Sequence, residues 1–212
     1  MQIVKEIITN ILVALYEPFW FALILSVLAM FFYLYCYRPV GAGKGMRRAT
    51  RAWLREFAGS ARFRRLFLLV FCTAMILFRT LLNRSLWLNP LSNVMDGWWI
   101  WKTDSSGKAV LTTECFENVI LMMPFTFLLL WAAGDWILER VRFSAAVWTG
   151  IKTAAVFSLG IELCQLLFRL GTFQLSDLCY NTLGGGLGGA VYWAVRKMEA
   201  WMGAKRGRRR KS

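Results

Sequence analysis

The sequence predicts an all-α integral membrane protein. It should have five transmembrane helices, an outside N-terminus and a cytoplasmic C-terminus, with a basic amphipathic helix on the cytoplasmic interface. Two observations predict this. Hydrophobic residues make up 58% of the 212-residue chain, and they gather in runs of about 17 to 25 without alternation, the length a bilayer core demands. The formal net charge is +14, but the basic residues lie beside those runs, with nine in Arg38–Arg65 and eight in Arg196–Lys211. Such flanking clusters mark the cytoplasmic side of a membrane protein.

The spans read as Phe19–Tyr37, Leu66–Leu82, Glu117–Ala133, Ser144–Phe168 and Asp177–Arg196. Residues 1–65 then form an N-terminal transmembrane helix and a basic amphipathic segment. Residues 66–196 form a four-helix membrane domain, and 197–212 a basic tail. The N-terminal stretch reads as a retained first span rather than a cleaved signal, because Lys5 is offset by Glu6 and the apolar region continues to Tyr37. Pro18 suits the first turn of the first helix. Ser144 is expected to cap the fourth, and Ser176 or Asp177 the fifth.

Direction follows from the connections. Arg38–Arg65 holds one acid, Glu56, while Asn83–Phe116 balances Arg84, Lys102 and Lys108 against Asp96, Asp104 and Glu114. The short link Gly134–Phe143 carries Arg140 and Arg142. Five spans place all three basic segments in the cytoplasm. Within the first of them, Met46, Ala49, Trp53, Phe57 and Ala61 recur at helical spacing among arginines. That pattern predicts a helix on the inner membrane surface, with anionic lipid headgroups as partners and no nucleic acid. The external "DGWWIWK" (Asp96–Lys102) reads as a loop resting at the interface, in preference to a sugar-stacking platform.

Histidine is absent, which removes the commonest general base and metal ligand. The five cysteines show no CxxC spacing, and Cys36, Cys72, Cys164 and Cys179 fall in spans. No disulfide framework, metal or cofactor is expected.

Ionisable and amide groups converge on the outer half of the membrane. Arg79 lies near the outer end of the second span with Arg84 just beyond, and Glu117 and Asn118 open the third. Glu162, Gln165 and Arg169 share a face of the fourth helix at i, i+3 and i+7, and Asp177 and Asn181 share one at i and i+4 on the fifth. Glu162 should lie about 10 Å below the outer interface. A charge so placed costs at least ~2.5 kcal/mol on a lipid-facing helix, so it should face the bundle and pair with Arg79 or Arg169. A self-satisfied structural network is one reading of this set. A functional cavity open to the outside is the other, and the more economical, because buried ion pairs stabilise little beyond what apolar packing supplies. Gly184/Gly188 and Gly185/Gly189 form overlapping GxxxG pairs for close helix packing. Gly184 and Gly188 are expected to continue the Asp177–Asn181 face.

"FRTLLNR" (Phe78–Arg84), "ENVILMMPFTFLL" (Glu117–Leu129) and "IELCQLLFRLGTFQLSDLCYNTLGG" (Ile161–Gly185) together resemble the VanZ-like membrane protein family. The resemblance runs from about Cys72 to Trp193. It rests on the ordered pattern of Arg79, Arg84, Glu117, Asn118, Pro124, Glu162, Gln165, Arg169, Asp177, Asn181 and Gly184. Where the family commonly reads P-F-G, this chain has Pro124-Phe125-Thr126, which leaves the bend of the third helix open. The resemblance implies a multi-pass protein of the plasma membrane of a Gram-positive bacterium, linked to glycopeptide resistance, teicoplanin above all. Its outward polar groups would bind a lipid-linked cell-wall precursor or a glycopeptide. A membrane enzyme using Glu117 or Glu162 as base beside Asp177 is the alternative, and a variant of it has the acids instead hold Mg²⁺ or Ca²⁺. A purely structural bundle is the third. Oligomeric state is open at this stage.

Overall fold

The structure is a computed structural model that describes residues 2–36, 45–103 and 107–209. Tyr37, Arg38, Lys44, Asp104, Arg210 and Lys211, each used in the sequence reading, lie outside the described residues. Among the described residues the regular structure is helical apart from one short antiparallel hairpin, and the chain divides into two compact units, Met1–Ser85 and Leu86–Ser212.

The first unit contains α1 (Gln2–Tyr16), α2 (Phe19–Cys36), α3 (Met46–Gly59) and α4 (Ala61–Leu77), with a π-helical turn at Phe78–Leu82. The apolar N-terminal stretch is not one helix. It breaks at Glu17–Pro18, and the Pro18 carbonyl accepts the first bond of α2 from Ala22 N–H at 2.9 Å. Proline lacks the N–H that a continuous helix needs, so the break falls there. The 15 residues of α1 span about 22 Å, short of a bilayer core of about 30 Å.

The amphipathic run is helical only to Gly59, because Ser60 leaves the helix and caps α4 by accepting from Phe63 N–H. Its apolar side is partly engaged by protein. Trp53 stacks on Phe57 at 5.1 Å, and both meet Phe63 and Phe67 edge-on. Buried Met30, Leu34, Phe63 and Phe67 form the core beneath them. Arg64 donates to the Phe57 and Ala58 carbonyls at the end of α3, satisfying groups that a helix C-terminus leaves open.

The second unit contains β1 (Trp101–Thr103), β2 (Ala109–Leu111), α5 (Glu114–Ile137), α6 (Phe143–Phe168) and α7 (Leu175–Arg209). α5 runs unbroken through Pro124. Helix starts differ from the expected caps. Arg142 precedes α6, so Ser144 lies inside it. α7 begins at Leu175, and Ser176 and Asp177 turn their side chains to other partners. α7 packs along both α5 and α6, which touch each other little.

Four helical stretches among the described residues are long and apolar enough to cross a membrane: Phe19–Cys36, Ala61–Leu82, Glu114–Ile137 and Phe143–Phe168. α7 is longer still, but Asp177, Asn181 and the glycines of residues 184–189 dilute its apolar character. Outward-facing stripes on the spans are apolar over long stretches, as at Ile24, Leu28 and Phe32 on α2 and, beyond the exposed Lys152, at Val156, Leu163 and Leu167 on α6. Contiguous exposure of this kind marks a surface that water does not cover.

Candidate functional site

α6 buries one line of residues at four-residue spacing: Ala146, Gly150, Ala154, Ser158 and Glu162. Such spacing keeps side chains on one helix face. The line is small for four steps and ends in a carboxylate. α7 runs antiparallel against it with residues that match in size. A Cβ added at Gly185 would sit 2.5 Å from the Gly150 carbonyl oxygen, and one at Gly189 would collide with the Ala146 carbonyl. One turn towards the N-terminus of α7, Asn181 Nδ2 donates to Ser158 Oγ at 2.8 Å. Beyond that, Gln174 N–H donates to Glu162 Oε2 at 3.1 Å.

The other glycine pair faces α5. A Cβ at Gly184 would lie 2.6 Å from the Val119 carbonyl oxygen, and one at Gly188 would meet the Met123 carbonyl and Thr126 Cβ. At the head of this line Asn118 Nδ2 donates to Asp177 Oδ1 at 2.7 Å. The single polar-and-glycine face expected on the fifth helix is therefore two faces. Asp177, Gly184 and Gly188 meet α5, while Asn181, Gly185 and Gly189 meet α6. The glycine pairs are offset by one residue, about 100° of helix rotation, and this lets α7 fit tightly between two neighbours.

Thr126 occupies that junction, between Gly150 and Gly188. The missing side chains of both glycines make room for its Cβ and methyl group, and α5 continues unbroken through Pro124-Phe125-Thr126.

One end of the three-helix bundle thus gathers acids and amides from all three helices. Glu117, in the first turn of α5 where negative charge is favoured, accepts from the Thr113 hydroxyl at 2.6 Å. Glu162, Gln165, Asn181 and Glu117 are only 2%, 3%, 6% and 8% exposed. All four are withdrawn from the surface, and Glu117, Glu162 and Asn181 each hold a hydrogen-bond partner. Asn118 and Asp177 are half-buried at their edge.

Arg169 departs from its expected place. α6 ends at Phe168, and Arg169 follows in the left-handed conformation with φ 55. The turn carries its side chain off the Glu162–Gln165 face to an exposed position, so Glu162 does not pair with it. A left-handed conformation costs a non-glycine residue roughly 1–2 kcal/mol. Arg79 and Arg84 belong to the first unit. Arg79 is half-buried in the π-helical turn, and Arg84 is exposed.

The opening stretch of the second unit, absent from the site as read from the sequence, is laced over this end. Trp87 N–H donates to the Arg169 carbonyl, Phe173 N–H to the Pro90 carbonyl and Leu175 N–H to the Val94 carbonyl, at 2.8 to 3.0 Å. Ser176 Oγ donates to the Asp96 carbonyl at 2.6 Å and Tyr180 Oη to the Trp98 carbonyl at 2.9 Å. Gly97, at φ +83, brings the backbone so close to Ser176 that a Cβ there would lie 2.5 Å from Oγ. Residues 86–98 form a strap that holds the α6–α7 connection, and with it Gln174 over Glu162.

No three His, Cys, Asp or Glu side chains among the described residues stand close enough together to hold a metal ion. The carboxylates of Glu117, Glu162 and Asp177 each meet a separate donor.

Apolar helices of membrane-spanning length, with acids and amides paired at one end of a glycine-packed bundle, define a helical membrane protein with a terminal polar site. The chain belongs to the VanZ/LLP1 family, whose model matches residues 19–196. The match begins well before Cys72, so α2 and α3 lie inside the family region rather than outside it. No curated protein and no solved structure matches the chain.

Proposed function

We propose that this chain is a five-span protein of the plasma membrane of a Gram-positive bacterium, with the polar end of α5–α7 facing outwards. There it would engage a lipid-linked cell-wall component or a glycopeptide and lower susceptibility to teicoplanin. The observation that carries this reading is the paired cluster of Glu117, Asn118, Glu162, Asp177 and Asn181 at one end of the bundle. Ionisable groups at membrane depth serve a substrate path or site by default. α7 is the fifth crossing in this reading, supported by its burial between two helices of spanning length. Basic residues at Arg140, Arg142 and Arg196–Lys211 then share the cytoplasmic side with the α3 segment.

Ligand would arrive at the half-buried rim of Asn118 and Asp177, with Arg169 exposed at the end of α6 as a further contact. An arginine guanidinium binds phosphate or carboxylate with paired donors, and the amides suit sugar or peptide groups. The test has two parts. Cysteine labelling from each side of the membrane should find the N-terminus and residues 86–98 outside and the C-terminus inside. Expression in a susceptible host lacking a homologue should raise its teicoplanin tolerance, and Asp177→Asn should remove that gain at normal protein abundance.

A further inference from the structure

At the opposite end of the second unit a cavity of about 460 Å³ is lined by Val141, Trp193, Arg196, Lys197, Glu199 and Ala200. We propose that it is a binding site for the phosphate headgroup of an anionic glycerophospholipid. Position supports this first. The cavity lies where α5 has ended at Ile137 and α6 begins at Phe143, the level at which two apolar spans give way to polar chain.

Its walls are of two kinds. Trp193 is packed edge-on against Phe143 at 5.2 Å and carries Lys197 Nζ 4.8 Å above its ring. Together with Val141 the Trp193 ring offers an apolar side for the glycerol and upper acyl chains. Tryptophan is favoured at this depth for the same amphipathic character. The charged wall is Arg196 and Lys197. Arg196 holds Asp135 at 3.6 Å and Glu199 at 3.5 Å, which orients the guanidinium and offsets the one carboxylate that lines the cavity. Its five N–H donors leave capacity for a phosphate. The end of α5, the α5–α6 connection and the adjoining part of α7 set Arg140, Arg142, Arg196 and Lys197 against Asp135, Glu139 and Glu199, so the neighbourhood is positive by one charge. Basic pockets beside spans capture anionic headgroups by this combination of charge and shape.

Native mass spectrometry of the full chain in detergent, titrated with phosphatidylglycerol or phosphatidylcholine, tests the site. Phosphatidylglycerol should be retained in preference to phosphatidylcholine. Arg196→Gln combined with Lys197→Gln should weaken its retention by about tenfold, whereas Lys205→Gln, outside the cavity, should leave it within about twofold. Val141→Trp keeps every charge and ion pair while filling the cavity, and should also weaken retention. Unchanged binding in Val141→Trp, or equal loss in Lys205→Gln, would reduce the effect to diffuse attraction by the tail and overturn the proposal. Full displacement of the lipid by millimolar inorganic phosphate would overturn it in favour of a free-phosphate site.

Discussion

Asn118 on α5 donates through Nδ2 to Asp177 on α7 at 2.7 Å, joining two helices that enter the same end of the bundle 59 residues apart in sequence. The bond fixes which of the two groups is donor. Asn118→Asp would set two carboxylates against each other and should lower the amount of protein in the membrane. The exchange Asn118→Asp with Asp177→Asn restores one donor and one acceptor. It should recover abundance, read by immunoblot of membranes, and no recovery would show that the pair is held by other contacts.

The helix packing was legible in part. Overlapping glycine pairs were visible as GxxxG, but their division between two neighbours was not, because a one-residue offset acquires meaning only when α5 and α6 are in place. Ser158 went unnoticed as the partner of Asn181. A serine in an apolar helix carries little signal alone, though the spacing Ala146, Gly150, Ala154, Ser158, Glu162 contained it. The strap could not be read as such, since its bonds use backbone groups with only Ser176 and Tyr180 as side-chain donors, and these form no pattern in the chain. Arg169 was misplaced because periodicity was continued one residue past the point where the helix ends.

Glycine substitutions should separate the packed faces from the free one. Gly185→Ala drives a Cβ towards the Gly150 carbonyl and Ala154, and should destabilise by about 1–3 kcal/mol. Gly188→Leu should be worse. Gly160→Ala meets nothing within 4 Å and should be neutral, or stabilising by up to about 1 kcal/mol. Thermal denaturation in detergent gives the order, and equal midpoints for Gly185→Ala and Gly160→Ala would refute the packing described.

Arg169→Gly removes the left-handed strain at the end of α6. The variant should be at least as stable as the parent, by up to about 1–2 kcal/mol. If the side chain serves the rim of the site, teicoplanin tolerance should fall despite that gain. A variant both stabilised and fully protective would leave Arg169 without a functional part.

The strap depends on Gly97. Gly97→Val meets a positive φ and Ser176 Oγ at once, so it should release residues 86–98 from α7. Faster amide exchange at Leu175 and Phe173, whose N–H groups bind the strap, is the expected readout, with α5 and the far half of α7 unchanged.

Glu162→Gln tests the central claim, that the polar end of α5–α7 serves a ligand and not merely the fold. Glutamine retains the oxygen that accepts from Gln174 N–H and nearly the same volume, and removes only the charge. The account predicts normal membrane abundance and thermal stability with loss of the teicoplanin tolerance conferred by the parent chain. Full tolerance at normal abundance would contradict a role for the carboxylate. Loss of abundance and thermal stability would show that the charge belongs to the fold.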